Sequence, residues 1–401
     1  EDTNDNNASN AALIELTDWI WYEVPTTQKN TPSPRQLHTG VVHNDEWYLF
    51  GGFTKEVPLD ELWFLSLATK EWKQVKKFIG TWPRSRHSHT ATSRSFTNKN
   101  GRVIDSMIIF GGVTENGEVL NEVWEYSFKK SSWYKFETTG DIPSPRWGHS
   151  AVIYHDEIWA FGGFSNTIID ELYCLNLETR KWRRIDAEGG PSERHFHSAN
   201  VHNNKMYIYG GLSAKNLGDM VSFDFASQKW ENVPMKNSIA ARRGHQTIVF
   251  DHYLIVHGGR DNKAASRDLF CYDFEAATWE TIKVDNTAPT TRYFHATCFW
   301  QNAIVVFGGL GINKNEPADP SGKNKFKNLN DLYYYTFKGN AFADIHSLNG
   351  RFSVLPLDVL KYWLTFLNAE TLARLSRVNR FFYFVSSTEN LWKKCTLVKS
   401  K

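Results

Sequence analysis

Between Trp19 and Phe337 the apolar residues fall in short runs of four to six, broken by polar turns and glycine pairs. Runs such as "WYLF" (Trp47–Phe50), "MIIF" (Met107–Phe110) and "IVVF" (Ile304–Phe307) are too short for amphipathic helices. Their β-branched and aromatic content predicts strands. Each is preceded by a turn such as "HNDE" or "HNNK" and followed by Gly-Gly, a variable loop and a second apolar run such as "ELWFLSL" or "ELYCLNL". Only after Leu355 does the period change, with Leu355, Val359, Leu360, Trp363, Leu364 and Leu367 recurring at helical spacing.

The strand pattern repeats. Gly-Gly pairs end at Gly52, Gly112, Gly163, Gly211, Gly259 and Gly309, at spacings of 60, 51, 48, 48 and 50 residues. A histidine stands 13 residues before the first glycine in five copies: His38, His149, His197, His245 and His295. In the second copy a polar insertion, "SRSFTNKNGRVIDS", lengthens the interval from His89 to 22. An arginine precedes each histidine by three: Arg35, Arg86, Arg146, Arg194, Arg242 and Arg292. A tryptophan follows the second glycine by 19 to 21 residues in the first five copies: Trp72, Trp133, Trp182, Trp230 and Trp279. Each unit therefore reads as four strands, a to d, and a four-stranded unit with a period near fifty is the blade of a β-propeller. The sixth copy lacks its own tryptophan strand. "WYEVPTTQKNTPSPR" from Trp21 aligns with "WETIKVDNTAPTTR" from Trp279, so the N-terminal strand is expected to complete the last of six blades and remove an open sheet edge.

The repeated tryptophans are expected between blades as core, and the glycine pairs at strand ends where positive φ or close backbone approach is needed. No GxGxxG or GK[ST] surrounds those pairs, so they are not a nucleotide loop. Blades hold equivalent positions apart around a ring, so the histidines are expected to make structural hydrogen bonds rather than converge on a metal. Strand parity places the d–a and b–c loops on one face, here the upper, and the short a–b and c–d turns on the lower. The b–c loops differ in every copy, from "FTKEVPLD" to "LGINKNEPADPSGKNKFKN", which favours the upper face for binding. The six repeat arginines lie in its d–a loops, and Arg260 and Arg267 in the fifth b–c loop. They are expected to form a cationic ring at the channel mouth. The simpler alternative makes R-x-x-H a structural pair tying loops together.

Composition narrows the classes further. A net charge of +2 with 22% charged residues gives no reason to expect nucleic acid or a membrane surface as partner. No stretch of about 20 apolar residues is present. Four cysteines (Cys174, Cys271, Cys298, Cys395) are dispersed without a CxxC pair, which argues against zinc or a disulfide framework and for a reducing compartment, cytoplasmic or nuclear. No cofactor or catalytic constellation is expected.

The Gly-Gly pairs, spaced aromatics and R-x-x-H entry resemble kelch repeats over roughly residues 19–337. In kelch substrate receptors that this chain resembles, arginines of such loops grip acidic peptides or a free carboxylate, which here would involve Arg35, Arg86, Arg146, Arg194, Arg242, Arg260, Arg267 and Arg292. Residues 1–18 read as a polar segment and 338–352 as a linker. Residues 353–401 carry Leu-Pro, an aliphatic helix, Leu-Asn, a leucine-rich helix, Val-x-Arg with aromatics and a closing Leu-Trp. This resembles an F-box, a small all-α clamp for the Skp-type adapter of cullin–RING (SCF-type) ubiquitin ligases. The resemblance would place Leu355, Pro356, Leu360, Leu364, Leu372, Leu375 and Val378 at the adapter interface or in the motif's core. Trp363, Asn379 and Phe382 depart from the residues usual in that motif. The expected protein is thus an all-β six-bladed kelch propeller with a C-terminal F-box. It would be a non-catalytic receptor holding a target protein on its upper face and the adapter at the opposite end. The alternatives are a kelch scaffold outside any ligase, cytoskeletal or signalling, and a copper oxidase of related blade architecture, which would need convergent His and Tyr ligands.

Overall fold

The computed structural model describes residues 19–25, 30–77, 81–97, 101–301, 303–312 and 326–337. The described part is six antiparallel sheets. Blade 1 is built from Thr39–His43, Glu46–Phe50, Leu62–Ser66 and Trp72–Gln74, taken from the central channel outward as strands a to d. Blades 2 to 5 repeat this order, with strand a at Thr90–Thr97, Ser150–Tyr154, Ser198–His202 and Gln246–Phe250. In blade 6, Ala296–Trp300, Ala303–Ile312 and Phe326–Phe337 are joined by the N-terminal strand Trp19–Val24, which pairs outside the third. The expected closure by the first strand is present. Two short strands were not foreseen: Arg292–Tyr293 pairs with Leu310 and Gly311 in blade 6, and Thr139–Gly140, from the linker into blade 3, pairs in parallel with Lys181–Trp182 and covers that blade's outer edge.

The tryptophans lie where a repeat needs a joint between units. Trp133 packs on Phe50 of the preceding blade at 5.0 Å, Trp182 on Phe110 at 5.1 Å, Trp230 on Phe161 at 5.4 Å and Trp279 on Tyr209 at 4.9 Å. Trp21 packs on His257 at 5.3 Å, and Trp72 crosses the seam to Phe307 of blade 6 at 4.8 Å. The aromatic just before each glycine pair thus receives the next blade's indole. Burying one indole removes ~150–250 Å² from water, worth at most about 4–6 kcal/mol.

The repeat histidines form a second joint nearer the axis. Nε2 of His89 lies 2.7 Å from the Thr39 hydroxyl of the preceding blade, His149 3.0 Å from Thr90, His197 2.8 Å from Ser150 and His245 2.9 Å from Ser198. Blade 5 has Gln246 where the hydroxyl would be, and His295 instead meets His257 Nδ1 at 2.9 Å. Blade 6 has Ala296, so Nε2 of His38 meets no hydroxyl there. Ala296→Ser supplies the missing hydroxyl. It is expected to stabilise the seam by about 1 kcal/mol, read as an upward shift in the thermal midpoint.

At the upper end of the channel the residue before each repeat histidine closes a hoop. Leu37 donates its N–H to Phe294 O (2.9 Å), Ser88 to Leu37 O (3.0 Å) and Gly148 to Ser88 O (2.9 Å). Phe196 donates to Gly148 O (2.7 Å), Gly244 to Phe196 O (3.0 Å) and Phe294 to Gly244 O (2.8 Å). All six hold φ between 55° and 64°, the left-handed region that costs a non-glycine residue of order 1 kcal/mol. Repetition of that conformation in every blade, against its local cost, shows that the interblade bonds dictate it.

Candidate functional site: the upper face

The six repeat arginines are not on that face. Arg35, Arg86, Arg146, Arg194 and Arg292 have no exposed surface and Arg242 has 2%. In each, Nε donates to the carbonyl two residues earlier and Nη1 to the carbonyl of the first glycine in its own blade's pair, as in Arg292 to Thr290 O (3.1 Å) and Gly308 O (3.0 Å). Five also meet a carboxylate just before the apolar run of strand c: Arg35–Glu61 at 2.5 Å, Arg86–Glu122 at 2.9 Å, Arg146–Glu171 at 3.0 Å, Arg194–Asp219 at 2.8 Å and Arg292–Asp331 at 2.7 Å. Burial drives the Arg35 and Arg86 guanidinium pKa values down, and their carboxylates partly restore them. Burial also pulls Glu61 and Glu122 upward, but hydrogen bonds from Trp63 and Arg35, and from Trp124 and Arg86, hold both below the usual carboxylate range.

Each arginine's carbonyl also accepts the second glycine N–H of the preceding blade, ending with Gly309 to Arg35 at 2.9 Å. A side chain on the first glycine of a pair would collide there: a Cβ on Gly51 would lie 2.5 Å from Arg86 O and 3.0 Å from His89 Cε1. R-x-x-H, Gly-Gly and the strand-c carboxylate are therefore one interlocking device. The cationic ring expected from Arg35, Arg86, Arg146, Arg194, Arg242 and Arg292 is corrected to an internal brace. Buried and committed to internal acceptors, these guanidiniums do not face a ligand.

The neighbouring position lies on the upper face, with His195 and Tyr293 buried and the other four partly exposed. The residue after each arginine is Gln36, His87, Trp147, His195, Arg243 or Tyr293, and each pairs with the residue after its blade's glycine pair: Phe53, Val113, Phe164, Leu212, Arg260 or Leu310. Together they make an aromatic strip. Trp147 lies 5.1 Å from Phe164, 5.6 Å from His195 and 5.4 Å from Phe196. Phe196 reaches Phe294 at 4.5 Å, and Phe294 reaches Tyr293 at 4.8 Å. Phe196 and Phe294 belong to blades 4 and 6, so they meet over blade 5. Gly244 makes this possible, since a Cβ there would stand 2.6 Å from the Phe294 ring.

A cationic edge adjoins the strip on blade 5. The Arg260 guanidinium sits 5.9 Å from the Tyr293 ring, and Arg243 donates to Asn216 Oδ1 at 2.8 Å. Burial and the neighbouring Arg260 charge lower the Arg243 pKa. No carboxylate among the described residues pairs with Arg243, Arg260 or Arg267. Between blades 3 and 4 lies a 460 Å³ hollow lined by Asp170 and Glu193. The face is thus acidic on one side, aromatic across the middle and cationic on the other. Of the expected site residues, Arg260 and Arg267 both lie half-buried in the blade-5 loop of this face. Arg243 and the strip were missed, although within-chain variation marked them: the arginine and histidine recur in all six copies while the residue after the arginine changes. The loop after Ile312 and the expected adapter positions from Leu355 to Val378 lie outside the described residues.

No group of three or more His, Cys, Asp or Glu able to hold a metal occurs among the described residues. Cys174, Cys271 and Cys298 are buried free thiols, and burial pushes all three pKa values up. No helix among those residues is long and apolar enough to cross a membrane.

Six four-stranded blades, interblade tryptophans and the arginine–glycine–histidine interlock define a kelch-repeat β-propeller. The Attractin/LZTR1 beta-propeller family matches residues 1–262, and the chain belongs to it. The KLHDC2/KLHL20/DRC7 Kelch-repeats domain matches residues 236–351. The chain is 26% identical over 370 residues to the leucine-zipper-like transcriptional regulator 1 homolog of Drosophila melanogaster, covering 85% of this chain and 37% of that protein. It is 30% identical over 159 residues to kelch domain-containing protein 2 of Bos taurus (39% of this chain, 36% of that protein). It is 28% identical over 206 residues to human host cell factor 2 (44% and 25%). The chain therefore spans little more than a third of the length of the first two.

Proposed function

We propose that this protein is a non-catalytic substrate receptor of a cullin–RING ubiquitin ligase, cytoplasmic or nuclear. Its propeller would hold a segment of the target protein on the upper face, and residues 353–401 would act as an F-box binding a Skp-type adapter. The observation that carries the first half is the cationic edge of Arg243, Arg260 and Arg267, without a carboxylate partner among the described residues and beside an aromatic strip. A guanidinium there is available to an acidic or carboxylate-terminated peptide, and stacking on the strip adds affinity for its side chains. The second half rests on Leu355, Pro356, Leu360, Leu364, Leu372, Leu375 and Val378 in the F-box-like sequence. A receptor of this kind works by proximity, raising the local concentration of the target beside the transferring enzyme.

Two measurements test the two halves separately. Peptides selected from an acidic library by the intact chain are expected to bind at least about tenfold more weakly to Arg243→Ala/Arg260→Ala, a loss of about 1.4 kcal/mol. Unchanged affinity removes the upper-face reading. A Skp-type adapter is expected to bind the intact chain, and Leu355→Ala/Pro356→Ala is expected to abolish that binding. If no adapter binds while peptides still do, the protein is a kelch scaffold outside any ligase.

A further inference from the structure

The lower face carries a second feature that the receptor reading does not use. Blade 2 departs from its siblings there in two ways. Its a–b hairpin is extended, with strands Thr90–Thr97 and Val103–Phe110 of 8 residues each where the a strands of blades 1, 3, 4, 5 and 6 have 5. Its c–d turn reads "SFKKSSW" against "SLATKEW", "NLETRKW", "DFASQKW" and "DFEAATW" elsewhere. The hairpin is braced rather than loose: Arg94 forks onto Asp156 of blade 3 at 2.6 and 2.7 Å, reaches Glu125 at 3.5 Å and stacks on Phe96 at 3.7 Å.

Between this hairpin and blade 1 lies a cleft of about 990 Å³. Its floor is aromatic. His43 stacks on Phe128 at 4.0 Å and 3°, and Tyr48 meets Phe128 at 4.7 Å. Val103, at 61% the most exposed large hydrophobic residue among those described, stands on the lip. The rim is cationic. Lys129 and Lys130 are exposed at the turn, Lys130 lies 5.2 Å from the Tyr134 ring, and Arg180 enters from blade 3, 4.6 Å from Phe136. Five lysines and arginines line the cleft against three acids; Glu125 already faces Arg94 and the Ser106 hydroxyl, and Lys135 lies 3.7 Å from Glu122.

We infer that this cleft is a second docking site, for an acidic partner segment that carries an aromatic or aliphatic side chain. The side chain would seat against Phe128 and Val103 while its carboxylates meet Lys129, Lys130 and Arg180. Charge complementarity selects that occupant: an exposed cationic rim around an apolar floor attracts an anionic chain and repels a basic one. The inference stands independently of the upper-face reading.

A fluorescein-labelled peptide, EDEFEDE, titrated into the full chain tests it. Saturable binding tighter than about 1 mM is expected, weakening as salt rises from ~0.05 to ~0.5 M. KKKFKKK is expected not to bind. Measured in the Arg243→Ala/Arg260→Ala background, which removes the upper-face cationic edge, EDEFEDE is expected still to bind, and adding Lys129→Glu/Lys130→Glu is expected to weaken it at least about tenfold. The lysine pair is exposed, so an unchanged thermal midpoint separates lost binding from lost fold. Absence of binding overturns the inference, as does binding that ignores the lysine pair. Binding seen only after deletion of residues 1–18, which hold five acidic residues and no Lys or Arg, also overturns it by giving the cleft to the chain's own terminus.

Discussion

Arg292→Ala is expected to cost 3–5 kcal/mol of stability and to lower the thermal midpoint by roughly 10 °C, with little direct relation to ligand. The guanidinium has no exposed surface and satisfies Thr290 O, Gly308 O and both oxygens of Asp331. Removing it leaves a cavity, two buried carbonyls short of a donor and an Asp331 side chain only 19% exposed without its counter-charge. Arg243→Ala makes the contrast. That side chain is half-buried with Asn216 as its recorded hydrogen-bond partner, so about 1 kcal/mol or less of stability should be lost. Urea denaturation of both variants beside a peptide-binding titration decides the matter. An Arg292→Ala protein that melts like the parent yet loses its peptide would return the repeat arginines to the ligand.

Lowering the pH from 7 to 5 is expected to unfold the propeller cooperatively, well before its carboxylates protonate. Burial is the first cause, and the neighbouring repeat arginines add to it: His38, His149, His245 and His257 are driven down to about 3, and His89, His197 and His295 well below their ordinary value. Above pH ~6.5 these imidazoles are neutral both folded and unfolded, so stability is insensitive to pH. Below it the unfolded chain takes up protons that the folded chain refuses, and each histidine removes about 1.4 kcal/mol per pH unit until its folded pKa is reached. Seven of them amount to something on the order of 10 kcal/mol by pH ~5, comparable with the whole stability of an ordinary domain. The depressed Glu61 and Glu122 act in the same direction at lower pH, since their contribution is lost as pH falls through their folded values. Melting curves at half-unit pH steps check this, and His257→Phe should flatten the slope. A midpoint constant from pH 7 to 5 refutes it.

Repetition made the fold readable and misled about the site. Six copies of one spacing carry six blades, and the leftover tryptophan strand at Trp21 finds its place because closure demands a fourth strand for the sixth sheet. The same periodicity drew attention to Arg35 and its equivalents. A residue fixed in every blade, however, answers to something every blade shares, namely its own packing. Ligands touch each blade differently, so the readable signal was the changing residue beside the arginine, from Gln36 to Tyr293. The acids at the arginines were legible too: Glu61, Glu122, Glu171, Asp219, Asp268 and Asp331 each immediately precede the apolar run of strand c. Asp268 alone breaks the scheme, taking the Ser266 hydroxyl at 3.0 Å in place of Arg242. The meeting of Phe196 with Phe294 was beyond sequence, because it depends on the diameter of the hoop beneath them.

Closure by the first strand sets a timetable for the protein's birth. A ribosome delivers Trp19–Val24 before any of the sheets, yet its partner Phe326–Phe337 emerges about three hundred residues later. At the usual ~5–20 residues per second, the opening strand waits at least some 15 seconds with two tryptophans and an unpaired edge in the open. Five blades can form meanwhile, each from neighbouring chain, but the hoop and the blade 6 to blade 1 joint cannot. Chaperone demand should therefore fall on this one strand, and a circular permutant that begins at Asn30 and carries Trp19–Val24 after Phe337 should fold faster while keeping every contact of the native ring.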